Sequence, residues 1–144
     1  MVLPRIGRNL GLSRPCPWMR RRLLADRQRL GRWGQRQAER ILRRRGCRTI
    51  ARNWSAACGE LDLVVCETDG TLVFVEVKTR RSEDFAPAAA AVNTKKQRKI
   101  ARTAKRFLTQ YHVSDRPLRF DVVTVILPPY GVPCITHYPA AFVP

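Results

Sequence analysis

Two short apolar stretches hold the residues best suited to chemistry. Gly59-Glu60-Leu61-Asp62-Leu63-Val64-Val65 sets Asp62 between leucines, and Val73-Phe74-Val75-Glu76-Val77-Lys78-Thr79-Arg80 sets Glu76 and Lys78 two apart among valines. Apolar residues fall on both faces of each stretch, as in central strands of a sheet. Charges in such strands are costly unless they are paired or bind a metal. Thr68-Asp69-Gly70 fits a three-residue hairpin loop with Gly70 in the left-handed region. That loop puts Glu67 opposite Thr71, Asp62 opposite Glu76 and Glu60 opposite Lys78. Side chains alternate along strands, so Asp62, Glu76 and Lys78 are expected on one face.

Facing carboxylates repel and are hard to desolvate together, and a divalent cation resolves this. Mg²⁺ (or Mn²⁺) takes hard oxygen ligands and needs only one or two carboxylates, with water and phosphate completing its shell. The candidate metal ligands are Asp62, Glu76 and the Val77 carbonyl. Lys78 would lie beside them, to orient or help deprotonate an attacking water and to stabilise charge on a phosphate. Asp62, Glu76 and Lys78 are therefore the catalytic candidates, for metal-assisted phosphodiester hydrolysis. The competing reading is a solvated strand face with weak Glu–Lys pairing. The apolar flanks weigh against it.

The elements that must position these residues are legible around them. A helical pattern runs from Gln28 to Arg45, with Leu30, Trp33, Ala38, Ile41 and Leu42 on one face and Gly46 as its stop. Gly31 and Gly34 weaken its start and suggest a close approach there. Cys47–Trp54 reads as a strand and Ser55–Cys58 as a loop. Residues 80–92 read as a loop, and Thr94-Lys95-Lys96-Gln97 as a capping box opening a helix to about Gln110. Arg119–Leu127 is a further strand and Cys134–Tyr138 a last edge strand. The order αβββαβ predicts an α/β fold, a mixed sheet flanked by helices. Residues 1–26 are expected to be a mobile basic extension and residues 27–144 the folded domain.

Charge points to the partner. The chain has 28 basic and 11 acidic residues among 144, a net of +17. Residues 1–50 alone carry 15 Arg against two acids. Such a balance favours a polyanion, and Arg binds phosphate bidentately and stacks on bases. Arg32, Arg36, Arg43, Arg44, Arg80, Lys95 and Lys96 are the candidate nucleic-acid contacts, with the Arg20–Arg22 cluster as a further one. Trp33 and Trp54 could stack on bases, although Trp33 falls on the apolar helix face. No run of apolar residues is long enough to span a membrane, and Met1–Leu24 lacks the apolar core of a signal peptide. Five cysteines without a Cys-x-x-Cys, and isolated His112 and His137, argue against zinc and for reduced thiols in a cytoplasmic protein.

Asp62 followed by Glu76-Val77-Lys78 on a hairpin, after an N-terminal helix, resembles the PD-(D/E)xK nuclease superfamily. More narrowly, the chain resembles the YraN-like family of small bacterial endonuclease-like proteins. The resemblance rests on Gly31-Arg32-Trp33-Gly34, Arg52-Asn53-Trp54, Gly59 to Val64, Val73 to Arg80, Lys96 and Arg119-Phe120-Asp121-Val122-Val123. It implies a restriction-endonuclease-like core and a Mg²⁺-dependent nuclease site at Asp62, Glu76 and Lys78. The family carries Glu after Gly34, where this chain has Gln35. Glu39, one turn on, is either a stand-in for that acid or a surface partner of Arg36 or Arg43. The family's Phe-Gly after the Glu-x-Lys strand is Phe85-Ala86 here.

Three functions stay open on this reading. The first is a nuclease acting on DNA, including branched or damaged DNA. The second is a binding module that keeps the fold without cutting. The third is a basic RNA- or ribosome-associated protein. DNA is favoured over RNA as partner, and cutting both strands of a junction would favour a homodimer. Glu60 is expected to pair with Lys78 or Arg80, and Asp121 to hold Arg119.

Overall fold

The computed structural model describes residues 12, 14–82 and 92–144. Its elements are α1 (Pro17–Ala25), α2 (Arg27–Arg44), β1 (Arg48–Ala56), β2 (Gly59–Cys66), β3 (Leu72–Arg80), α3 (Thr94–Gln110), β4 (Leu118–Ile126) and β5 (Cys134–Tyr138). The strands form one mixed sheet in the order β1-β2-β3-β4-β5. Only β3 and β4 pair in parallel, and α3 is the crossover between them. The αβββαβ core is thus present as α2 to β4, consistent with a restriction-endonuclease-like core, with α1 and β5 added at its ends. No helix among the described residues is long and apolar enough to cross a membrane.

Both faces of the sheet are covered. Leu63, Val65, Val73, Val75 and Val123 pack under α1 and α2 with Leu30, Trp33 and Leu42. Val64, Phe74 and Val122 pack under α3 with Ile100, Ala104 and Phe107. This is why β2 and β3 read as unbroken apolar runs. Burying one such side chain fully stabilises the fold by about 1.5–3 kcal/mol.

The hairpin loop is as the sequence predicts. Gly70 has φ 89°, Gly70 N–H donates to Glu67 O at 3.0 Å, and Glu67 N–H donates to Thr71 O at 2.9 Å. The stop of α2 also holds. Gly46 at φ 90° donates to Arg43 O, and Cys47 N–H donates to Leu42 O, closing a Schellman turn.

Three expectations change. Pro17–Ala25, expected within the basic extension, forms α1 and buries Leu23 in the core. The segment is Arg-rich outside, but Pro17 suits a first helical turn. The strand expected to end at Trp54 continues to Ala56, and β2 starts at Gly59, so the Ser55–Cys58 loop shrinks to a two-residue turn. The cap of α3 is Asn93, whose Oδ1 accepts from Lys96 N at 2.9 Å, not Thr94. Asn and Thr both cap helices, and the pattern alone misplaced the start by one residue. Phe85-Ala86 and most of the loop that the sequence sets at residues 80–92 lie outside the described residues.

Gly34 explains the weak start of α2. A Cβ there would stand 1.9 Å from Thr79 Oγ1 and 2.8 Å from Thr79 Cβ. The helix therefore rests directly on β3 at the residue following Lys78. Gly34→Ala should destabilise the protein by about 1–3 kcal/mol through this overpacking, with Thr79→Ala recovering part of the loss. An unchanged urea midpoint for Gly34→Ala would show that helix and strand separate without cost.

Candidate active site

The hairpin pairs in the expected register from Leu63↔Val75 to Cys66↔Leu72. The ladder stops there, so Asp62 and Glu76 are not paired across it as the sequence suggested. Beyond Leu63 the two strands fork. Leu61 packs on the α3 side together with Val64, and Ala51 with Trp54. Strict alternation would separate each of these pairs. β1 shifts register between Thr49 and Ala51, and Asn53 farther along has φ 45°. Arg52 pairs with Leu63 and Trp54 with Leu61, so Asn53 and Asp62 sit at the same level. Asn tolerates the left-handed region better than most residues. Local kinks of this kind re-aim a side chain and end pairing.

The re-aimed side chain is Asp62. Its Oδ2 accepts from Val77 N–H at 2.8 Å, where a backbone carbonyl of β2 would otherwise bond. A strand residue presents its N–H and C=O to the same neighbour. Val77 therefore turns its carbonyl toward the fork as well, as a metal ligand would require. Gln35 of α2 donates from Nε2 to the Asp62 carbonyl at 2.9 Å. An ionised Glu at position 35 has no proton to make that bond. Gln35 thus ties the helix to the backbone of Asp62.

Glu76 is 4% exposed, and its Oε1 meets Lys78 Nζ at 2.8 Å and Lys96 Nζ at 3.1 Å. Lys96 lies in the first turn of α3, where its backbone N–H is fixed by Asn93. Sequence grouped Lys96 with the nucleic-acid contacts. The structure places it against Glu76, through a helix packing that strand spacing could not reveal. Burial first, and then the charge of Glu76, raises the Asp62 pKa to about 6. The Val77 N–H and the two lysines pull it down without prevailing.

Asp62, Val77 and Lys78 line a cleft of about 270 Å³ with Arg27, Gly31 and Gln35 among others, and Glu76 reaches it through its pairing with Lys78. Among the described residues no three His, Cys, Asp or Glu side chains converge as a metal site. The donor set is thus two carboxylates and the Val77 carbonyl. Among the described residues, the contacts above engage Asp62 through Oδ2 and Glu76 through Oε1. Such a set fits Mg²⁺, which keeps waters and takes phosphate oxygens, and fits a softer metal poorly.

Other sequence candidates lie elsewhere. Glu39 is buried and bonded to Arg52 Nε at 2.9 Å and Thr49 Oγ1 at 2.8 Å. It is neither a stand-in for an acid at position 35 nor a partner of Arg36 or Arg43 in an ion pair. The hydrogen bond from Arg52 holds its pKa below the usual range. Lys78 pairs with Glu76 instead of Glu60. Asp121 holds Arg119 as expected, through Nε at 2.8 Å, but also accepts from His137 Nε2 at 2.7 Å and Ala140 N at 2.9 Å. That cluster belongs to the hairpin-loop end of the sheet, since Arg119 also pairs with Glu67. Trp33 is core, and Trp54 meets Phe107 edge-on at 5.3 Å.

Apart from Arg80, the basic candidates divide between two helices on opposite faces of the sheet. Arg32, Arg36, Arg43 and Arg44 are exposed along α2, and the last three rim a shallow depression of about 410 Å³. Lys95 is exposed at the start of α3, beside Arg98 and Arg102. Arg80 is half-buried at the end of β3. Arg27 in the cleft wall was missed in the sequence, where it stood as one Arg among fifteen.

Residues 34–125 match the model of Uncharacterised protein family UPF0102. A UPF0102 protein of Nocardia farcinica is 41% identical over 119 residues, covering 83% of this chain and 93% of its own length. One from Geotalea uraniireducens is 41% identical over 82% of this chain and 92% of its own length. One from Frankia alni is 44% identical over 78% and 93%. Among solved structures, Pyrococcus furiosus SfsA in complex with Ca²⁺ overlaps 72% of this chain and 58% of its own. The identity is 16% and the TM-score 0.27, too low a likeness to argue from.

Proposed function

Since the chain belongs to Uncharacterised protein family UPF0102, the YraN-like family of the sequence resemblance, we propose that it is a Mg²⁺-dependent nuclease hydrolysing phosphodiester bonds in DNA. The observation that carries this is the fork. It turns Asp62 onto the Val77 N–H in the wall of a cleft that Lys78 also lines, next to the Glu76 that Lys78 and Lys96 pair with, in a chain of net charge +17. Pairing alone would explain Glu76 and the lysines. It does not explain a second carboxylate, Asp62, buried beside Glu76 at a cost in its own ionisation.

Asp62, Glu76 and the Val77 carbonyl would hold the cation. When bound, Mg²⁺ would polarise the phosphate and make a bound water a stronger nucleophile. Val77 N–H fixes the direction of the Asp62 carboxylate. Lys78 donates ammonium hydrogen bonds to the phosphate as negative charge grows there. Lys96 joins Lys78 in pairing with Glu76, so two ammonium groups face this buried carboxylate. Gln35 holds Asp62 from behind. The exposed arginines of α2 bind the backbone on either side of the cut.

The test is incubation with labelled duplex, single-stranded and branched DNA, with Mg²⁺ or Mn²⁺ and with EDTA. Cutting that needs the metal supports the reading, and intact DNA on every substrate sinks it. A second reading is favoured by Gln35, which brings an amide where a third carboxylate would add negative charge. On that reading the chain binds DNA without cutting. Both readings require phosphate-dominated binding. Affinity for duplex DNA should fall at least tenfold between 50 and 200 mM salt. A flat response would contradict both.

A further inference from the structure

The β4–β5 loop stands at the same end of the sheet as the cleft. β3 and β4 run parallel, so Ile126 lies beside Arg80, and Leu127 N–H donates to Arg80 O at 2.9 Å. The chain then turns through Pro128-Pro129-Tyr130-Gly131. Tyr130 is 89% exposed. Its loop is nonetheless pinned on both sides of the ring. Arg20 of α1 donates from Nη1 to Pro128 O at 2.8 Å and from Nη2 to Gly131 O at 2.7 Å. Two prolines stiffen the approach further.

Arg14, Arg20, Arg21 and Tyr130 line a depression of about 800 Å³ against Leu24 and Ala25, and none of the described residues lining it is acidic. Arg27, two residues past Ala25, lines the catalytic cleft. The depression and the cleft thus lie on either side of the α1–α2 corner. A rigidly presented aromatic ring among arginines suits one ligand chemistry above others. Bases offer a π-face to the ring and phosphates meet the guanidinium groups. A base inside a duplex already spends both faces on its neighbours. Only an unpaired base has one to offer.

We propose that Tyr130 is a stacking platform for an unpaired base, with Arg14 and Arg21 on the flanking phosphates. Its substrate class would then be DNA with a single-stranded segment next to the cut: a flap, gap or loop. This deepens the nuclease reading and rests on it for the word substrate. Arg20 is a positioning residue, acting through the loop it holds.

The test is fluorescence anisotropy in EDTA, which prevents cutting, with a labelled 12-mer of dT and a blunt duplex hairpin as probes. Tyr130→Ala should weaken oligo-dT binding about tenfold, the value of one lost stacking contact. Tyr130→Phe should bind like the parent, and duplex affinity should change less than twofold. Unchanged oligo-dT binding by Tyr130→Ala, or an equal loss on both probes, would overturn the proposal. So would a Tyr130→Ala effect confined to the sedimentation of the protein alone, which would make a second copy of the chain the occupant. Cleavage plays no part in this readout. A protein that binds oligo-dT through Tyr130 but cuts nothing removes the nuclease reading alone. One that cuts, with Tyr130→Ala binding normally, removes the stacking site alone.

Discussion

Lys78→Met should lower DNA cleavage at saturating Mg²⁺ at least 100-fold while leaving the fold and duplex affinity nearly intact. Methionine keeps most of the stem's volume and loses only the ammonium. A preorganised donor aimed at developing charge contributes about 10²–10³ in rate when removed singly. Lys78 is half-buried in the cleft wall, 2.8 Å from a carboxylate that is itself buried. The fold survives because Glu76 keeps Lys96 at 3.1 Å. Duplex affinity survives because the exposed arginines of α2 lie outside the cleft. Lys96→Met should cost less, since Lys78 still pairs with Glu76 and Lys96 does not line the cleft. Single-turnover rates at several enzyme concentrations separate the rate effect from binding. A Lys78→Met protein cutting at the parent rate would remove Lys78 from catalysis, and with it the case for a hydrolytic site at the fork.

Register was legible in the sequence because a three-residue loop ending in Gly70 fixes it locally. The core was legible because burial on both faces leaves an apolar run. The fork was not. It goes with local irregularities in β1, a bulge between Thr49 and Ala51 and a left-handed Asn53, on a strand paired with β2 rather than β3. No periodicity within β2 announces it. The ladder stops one pair short of Asp62 and Glu76, and Asp62 turns instead to the Val77 N–H. The place of Lys96 beside Glu76 was invisible for a related reason. Its contact with Glu76 depends on where the crossover helix lands on the sheet, and a lysine in the first turn of a basic helix carries no mark of that. Glu39 was misread because exposed partners one turn away are the ordinary choice on a helix. The winning partner, Arg52, arrives from a strand.

Asp62→Asn should raise stability at neutral pH in EDTA, an unusual result for the removal of a half-buried carboxylate that accepts a hydrogen bond. The sign follows from the direction of the shift. The folded pKa is raised to about 6 from the ordinary 3.8, by burial first and by Glu76 second. The folded state therefore holds the proton more tightly than the unfolded chain between about pH 4 and pH 6. Stability falls as pH rises through that window and stays lower above it, by about 3 kcal/mol at most. Asparagine keeps an oxygen for Val77 N–H and carries no charge, so it escapes this loss. The gap between variant and parent should open between pH 4 and 6 and be small at pH 4. Glu39 and Asp121 do not blur this window. Hydrogen bonds from Arg52 hold Glu39 low, and for Asp121 those from His137, Arg119 and Ala140 outweigh its burial. Their contributions are present above about pH 4 and are lost only as pH falls below it. Mg²⁺ should then narrow the gap, because a cation bound to the folded parent stabilises it by mass action and the variant has lost a ligand. Thermal unfolding at pH 4, 6 and 7.5, with EDTA and with Mg²⁺, reads all of this without any cleavage. A variant less stable than the parent by the same margin at every pH would mean that the Asp62 charge is repaid within the protein, by Lys78 and Lys96, and needs no cation.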